Sequence, residues 1–496
     1  MRDEKAMRPK ARLPAGFRDR DATDIAAETR MLGAIAKVYD AYGFDALQTP
    51  AFEYTDALGK FLPDLDRPNG GVFSLQDDDE QWLSLRYDLT APLARYVAQN
   101  FQDLPKPFRR YQIGTVWRNE KPGPGRFREF TQCDADIVGS ASPAADAELL
   151  MMFADALEAV GLKRGDYVIK INSRKLLDGV LEAAHVDNTK RGTVLRAIDK
   201  LDRLGVAGVR ALLGQGRKDE SGDFTKGAEL DAQAATRILA FIDAEIQNME
   251  ADAALLSLAK AVSGSGTGET GAAELGDVIR ILNSCGYGPD RVRVDSGIVR
   301  GLDYYTGPVF EAQLLAPVQN DAGETVVFGS VGGGGRYDDL VARFTGQIVP
   351  ASGFSIGVSR LLTALKSRGA AIATPDPLIV VLVLDKSEVA FSFQLVTELR
   401  KAGLRAEAYV GESGMKAQLR YADKRNAAIA VIEGSDERAK GEVTLKDLAL
   451  GAEMAKDVAS RADWVKDRPA QQSVKRQDMM NAIRAMLTAS ATRAGS

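Results

Sequence analysis

Residues 108–139 constrain this chain more than any other stretch. They read as a strand, the polar Gly/Pro segment EKPGPGRFRE and a second strand, the pattern of a hairpin with a long tip. An antiparallel sheet is therefore expected at the centre of the first part of the fold. Before it, DATDIAAETRMLGAIAKVYDAY has helical spacing, with Asp21 or Thr23 as N-cap and Gly43 as stop. FDALQTPAFEY reads as a strand interrupted by Pro50, which cannot donate to a ladder. Residues 81–87 read as a strand, TAPLARYVAQN as a helix starting near Thr90, and ASPAADAELLMMFADALEAVG as an amphipathic helix.

Residues 166–290 change character. After the short strand YVIKINS they become charged and helical, with GQGRKDESGDF and SGSGTGETG expected as flexible interruptions, so an inserted helical module is expected. Strand signals return over 291–367, in VFEAQLL and ETVVFGSVGGGGRYDDL, before the helix-like GFSIGVSRLLTALKS. Past the linker RGAAIATPDP, residues 377–496 alternate strands and helices, predicting a small, mostly parallel sheet with a last helix near 474–490. The length of 496 residues fits two to four domains.

Composition removes several chemistries. Cys133 and Cys285 are the two cysteines, so a disulfide framework and a four-cysteine zinc site are excluded. Both are expected to be structural, since free cysteine usually behaves as a small buried hydrophobe. The one histidine, His185, reads as a helix-end surface residue, which leaves the chemistry to Arg, Lys, carboxylates, hydroxyls and backbone. The sequence has no apolar run of about 18 residues and no apolar N-terminal core, so a chain without membrane spans in a reducing, cytoplasmic compartment is expected. Net charge is −5. Against that balance Lys106, Arg109, Arg110, Arg118, Lys121, Arg126 and Arg128 face one acid, Glu120, between positions 106 and 128, and read equally as a solvated basic face or a binding surface.

A Walker A sequence is absent, and GSVGGGGRYDDL does not open a Rossmann unit; it reads as a glycine-rich strand that lets something approach its backbone. The sharper signal is three punctuated arginines: Arg118 in TVWRNEKPGPGRFREFTQCD, Arg300 in SGIVRGLDYYTGPVFE and Arg360 in GFSIGVSRLL. A guanidinium keeps its charge and presents a planar fork to phosphate oxygens, so three could hold a triphosphate without a glycine-lysine loop.

These segments resemble motif 2, the histidine signature and motif 3 of the histidyl-tRNA synthetases, class II aminoacyl-tRNA synthetases. The helix, strand and Pro50 resemble motif 1, the dimerisation element; LRYDLTAPLARY resembles the substrate-binding strand and helix start; LRYADKRNAAIAVIEGSDE resembles the anticodon-binding domain. RGLDYYTG is the specific piece, because related class II enzymes share motifs 2 and 3. Motif 3 departs from the family in reading Ser359-Arg360 where Glu-Arg is common, and the tip KPGPGRF lacks a Gln often found there.

The resemblance implies an α+β chain: a class II antiparallel-sheet catalytic domain in two parts, 1–165 and 291–367, a helical insertion at 166–290, and a C-terminal α/β anticodon-binding domain at 377–496. It implies ATP with Mg²⁺ carried on the nucleotide rather than in a protein cage, L-histidine, tRNA-His and a homodimer. Arg118 and Arg300 would grip the α-phosphate and the substrate carboxylate. Arg126 and Arg360 would hold the γ-phosphate, Glu120 would meet the adenine amino group, and Phe130 would stack on the base. Asp88, Thr90 and Gln132 would accept from the α-ammonium, and Asp136 and Tyr305, with Tyr304 alongside, would meet the imidazole. The insertion would contact tRNA. Two other readings stand beside this one: a histidine-binding, synthetase-like regulatory subunit of ATP phosphoribosyltransferase, and a synthetase specific for proline, threonine or glycine. Intact arginines, residues 377–496 and RGLDYYTG oppose them. Loss of one preorganised transition-state contact costs about 10²- to 10³-fold in rate, so Arg300→Ala is expected to slow histidine-dependent ATP–pyrophosphate exchange at least that much.

Overall fold

The expected hairpin forms in the computed structural model and belongs to a larger sheet, as its second and third strands. The structure describes residues 10–58, 71–123, 127–218, 222–242, 249–299, 301, 304–315, 318–319, 325–326, 329–367, 375–385, 387, 389–451 and 470–495. Eight strands make the sheet: β1 (Asp45–Ala46), β2 (Phe108–Trp117), β3 (Glu129–Val138), β4 (Tyr167–Ser173), β5 (Val292–Val294), β6 (Pro308–Leu314), β7 (Ser330–Arg336) and β8 (Ala351–Gly357). Their order is β1-β2-β3-β8-β7-β6-β4-β5. All neighbours are antiparallel except the outer pairs β1–β2 and β4–β5, which run parallel. Pro50 divides its strand: β1 joins this sheet, while Phe52–Tyr54 joins a separate sheet with Ser74–Gln76 and Trp82–Leu85.

Helices α1 (Ala22–Ala41), α3 (Pro143–Ala159) and α6 (Val358–Ser367) cover one face of the sheet, and α2 (Thr90–Gln99) lies between the two sheets in sequence. Asp21 is the N-cap of α1; its Oδ1 accepts from Asp24 N at 2.8 Å. The covered face is apolar. Phe153 of α3 stacks on Phe354 of β8 with centroids 4.5 Å apart, and Tyr39 of α1 meets the same ring edge-on. Cys133, Ala135 and Ile137 of β3 point into this core.

The insertion differs from its sequence expectation in two places. SGSGTGETG is not a loop: Ser265 caps a helix, α5 (Gly266–Ser284), by accepting from Gly268 N at 3.0 Å. Its glycines serve close packing against α4 (Arg174–Ala183); a Cβ on Gly179 would lie 2.3 Å from Gly268 Cα. Composition that reads as flexible is here a helix–helix contact. GQGRKDESGDF folds in part as a short hairpin, Gly216–Lys218 with Phe224–Lys226. Of the two cysteines Cys133 is buried, but Cys285 is exposed at the end of α5, against the expectation that both are buried. His185 is exposed just past α4 with φ +54°, as the sequence suggested.

The chain divides into two compact units, 1–373 and 374–496. In the second, Ala406–Ala408, Ile379–Val381 and Ile429–Ile432 run parallel, but Glu442–Asp447 and Gln471–Lys475 extend the sheet antiparallel. The sheet is thus mixed rather than mostly parallel, and the last helix starts at Met479 because the preceding residues pair as a strand. Among the described residues no helix is long and apolar enough to cross a membrane. Gly179→Ala is expected to cost about 1–3 kcal/mol by forcing α4 from α5. Gly33→Ala, at an exposed position of α1 where a Cβ meets nothing within 4 Å, should be neutral or stabilising by roughly 0.5–1 kcal/mol. Urea midpoints of the two variants check the pair.

Candidate active site

Strand β3 alternates sharply, and both of its faces are buried. Cys133, Ala135 and Ile137 enter the helix-covered core, which turns Gln132, Asp134 and Asp136 to the other face. These polar residues are only 8%, 2% and 2% exposed. Register sets their neighbours. Gly114, Gln112 and Arg110 oppose them on β2, and Gly357, Ser355 and Gly353 on β8.

Asp136 is held from two sides. Arg110, with no exposed surface, brings Nη2 to 2.8 Å from Oδ2 and donates to the Leu89 carbonyl at 3.0 Å, while the Tyr337 hydroxyl donates to Oδ1. Burial pushes the Asp136 carboxyl up, and Arg110 and Tyr337 oppose that push. A Cβ on Gly353 would stand 1.9 Å from Asp136 Oδ1, so only glycine leaves room for the carboxylate. Asp134, next on the same face, is pushed up to about 7, by burial first and then by the charge of Asp136; Arg110 and Ser355 pull the other way.

Tyr304 and Tyr305 close over this end. Their rings meet edge-on at 4.9 Å, and Tyr304 lies 5.5 Å from Tyr337. Gly301 has φ +62° and a Cβ there would strike the Tyr305 ring at 2.4 Å, so this glycine is needed twice over. Tyr304 hydrogen-bonds Thr90, and burial with the nearby charges of Asp88 and Asp136 holds its hydroxyl protonated. Asp88 Oδ1 accepts from the Thr90 and Ala91 amides at 3.1 and 2.9 Å, satisfying first-turn donors of α2.

Arg118 stands one residue past β2, at the far end of the same face. Its guanidinium lies 4.4 Å from the Tyr87 ring centroid and 5.1 Å from that of Phe130, and Nε donates to the Tyr87 carbonyl at 3.3 Å. Among the described residues it forms no ion pair. The Tyr87 phenol is raised by burial, lowered by the Arg118 charge, and raised by the charges of Glu120 and Asp88. Arg360 is exposed on α6, three residues past β8, with its Nη2 beside Gly329 at the start of β7. Ser359, at the position where the family has Glu, accepts from Thr131 N at 3.3 Å and ties α6 to β3. Arg126 and Arg300 lie outside the described residues.

Arg110 stood out in the sequence only as one member of a basic run, and Tyr337, Tyr87, Asp134 and Gly353 were not among the expected site residues. Asp134 had a signal, the two-residue spacing to Asp136 in QCDAD. The basic run between 106 and 128 proves to be neither alternative as a whole. Arg110 is buried, Arg109 pairs with Glu148 at 2.6 Å, and Arg128 donates to the Glu120 carbonyl at 2.9 Å. The glycine run in β7 accepts the protein's own rings: Cβ atoms on Gly332, Gly334 and Gly335 would meet Phe153, Phe310 and Tyr305. Among the described residues no group of three or more His, Cys, Asp or Glu could hold a metal ion.

Asp134 has a folded pKa above its ordinary 3.8, so the folded chain keeps a proton that the unfolded chain releases. Its ionisation therefore lowers stability as pH rises from about 4 to about 7. Asp134→Asn is expected to match the wild type in Tm near pH 4 and exceed it at pH 8 by roughly 2–4 kcal/mol in stability, each pKa unit being about 1.4 kcal/mol. Equal differences at both pH values would contradict this.

Comparison with known proteins identifies the family. The family model for histidyl-tRNA synthetase matches residues 16–361, and that for the anticodon-binding domain matches 378–486. A protein named histidine–tRNA ligase from Brucella ovis is 56% identical over 98% of each chain, and one from Methylocella silvestris is 57% identical over 98% of this chain and 99% of its own. The crystal structure of histidyl-tRNA synthetase from Nostoc covers 96% of this chain and 100% of its own, at 29% identity and a TM-score of 0.73. With the family model spanning most of its length and relatives identical at more than half of all positions, the chain belongs to the histidyl-tRNA synthetase family.

Proposed function

We infer that the chain joins L-histidine to tRNA-His in two steps. A carboxylate oxygen of histidine attacks the α-phosphorus of ATP, the bond to the bridging oxygen breaks, and pyrophosphate leaves histidyl-adenylate. The 3′-terminal ribose of the tRNA then attacks the acyl carbon, its hydroxyl proton is lost, and AMP departs. Such chemistry rests on positioning and on stabilising the charge of the phosphates.

One observation carries this reading: Arg118, which forms no ion pair among the described residues, and the buried acid set of β3 lie toward opposite ends of one hairpin. A zwitterion activated by a polyphosphate needs both ends. Aromatic faces on either side hold Arg118, and its edges suit the α-phosphate and the substrate carboxylate, with Arg300 as its partner. Arg126 and Arg360 take the γ-phosphate, Glu120 the adenine amino group, and Phe130 the base. Mg²⁺ arrives on the nucleotide, where it neutralises phosphate charge. Asp88, Thr90 and Gln132 receive the α-ammonium. Asp136, Tyr304 and Tyr305 receive the imidazole; Arg110 and Tyr337 hold Asp136 in place.

The domain matched as anticodon-binding carries the anticodon contacts, and two copies of the chain pair through the motif 1 segment. The helical insertion meets the tRNA, and the enzyme works in the cytoplasm. A regulatory subunit would bind histidine without activating it, and relatives named as ligases over nearly the full length disfavour that alternative.

The test is ATP–pyrophosphate exchange with histidine, proline, threonine and glycine, followed by charging of tRNA. Exchange with histidine alone and histidyl-tRNA as product are expected. A site built to hydrogen-bond a polar side chain rejects analogues lacking it by about 10⁴–10⁵. Histidine binding without exchange would overturn the reading in favour of a regulator.

A further inference from the structure

Three buried oxygens on the β3 face have no hydrogen-bond partner among the described residues; Asp136 Oδ2 faces Arg110 as an ion pair, which leaves Gln132 Oε1 and Asp134 Oδ1. Their residues lie two apart on one strand, about 7 Å between Cα atoms. Ser355 ties them together: Gln132 Nε2 donates to its Oγ at 2.7 Å, and the Ser355 side chain also hydrogen-bonds Asp134. With its amide nitrogen engaged there, Gln132 offers its oxygen alone. A buried acceptor left unmade costs about 1–3 kcal/mol, so two side by side point to a missing group with several donors. Across the sheet the row reads Gln112, Asp134, Ser355, Gly333, and Gly333 puts no side chain on the floor beside them.

Charge points the same way. Asp88, Asp134 and Asp136 face this region against Arg110, which is paired with Asp136, and Arg86, which is spent on the Thr115 and Thr49 carbonyls at 2.8 Å each. Asp88 has given one oxygen to two backbone amides. Asp134, like Asp88, forms no ion pair among the described residues; Arg110 and Arg86 act on it from a distance, and burial beside Asp136 pushes its carboxyl up.

We propose that Asp134 is a further substrate-binding residue, accepting with Gln132 the N–H groups of the substrate's α-ammonium and supplying the negative charge that this cation needs. The proposal rests on the histidine-charging reading. Across the β2–β3 hairpin the carboxylate, ammonium and imidazole of one amino acid would then meet Arg118, the Gln132–Asp134 pair and Asp136 in turn.

Asp134→Asn keeps the shape and removes the charge, and two ligands isolate the contact. L-Histidinol has the ammonium and the imidazole without the carboxylate; imidazolepropionate has the imidazole without the amine. A hydrogen bond to a charged group is worth about 1.5–3 kcal/mol, so the variant is expected to bind histidinol about 10- to 100-fold more weakly and imidazolepropionate within about twofold of wild type. In exchange assays its KM for histidine should rise while that for ATP stays unchanged. Equal weakening of both ligands, or of neither, overturns the proposal. Wild-type exchange with histidine is run alongside: its absence overturns the function itself, whereas its presence with an unaltered variant overturns the role of Asp134 alone.

Discussion

The charge buried on β3 is the constraint on which the rest of the site depends. A carboxylate taken out of water is costly unless it is paired, and here two of them share a strand whose other face is hydrophobic core. Arg110, with no exposed surface, answers Asp136 from the neighbouring strand and so pins the hairpin register. A slip of one residue would turn Ile137 toward the polar face and strand Arg110 among the aromatics of the core. The register that satisfies the core is also the register that assembles the acids.

Around that pair the backbone has been stripped of side chains where rings and carboxylates must come close. Gly353 makes room for Asp136, and Gly301 and Gly335 make room for Tyr305. The consequence is a floor of strands with an aromatic cover over the buried acids. At the other end the Arg118 guanidinium lies beside the Tyr87 and Phe130 rings.

Much of this was legible from the chain alone because local signals were strong. The hairpin, Asp21 as cap, α2 starting at Thr90 and the exposed His185 follow from short-range periodicity and turn chemistry. The misses share one cause: they depend on partners far away in sequence. SGSGTGETG reads as a linker until Gly179 is known to lie against Gly268. Arg109 and Arg110 are adjacent and alike in sequence, yet strand alternation sends one to Glu148 and the other into the interior with Asp136. Cys285 was expected inside because its residue type usually is, but it falls at an exposed helix end.

The family and the main elements of the catalytic sheet were thus determined by sequence, since each is written in residues close together along the chain. The identity of the charges that end up dry and facing one another was decided by the tertiary structure. Burial, and with it the protonation of Asp134, depends on the strands and helices stacked over a residue, and no local pattern encodes that environment.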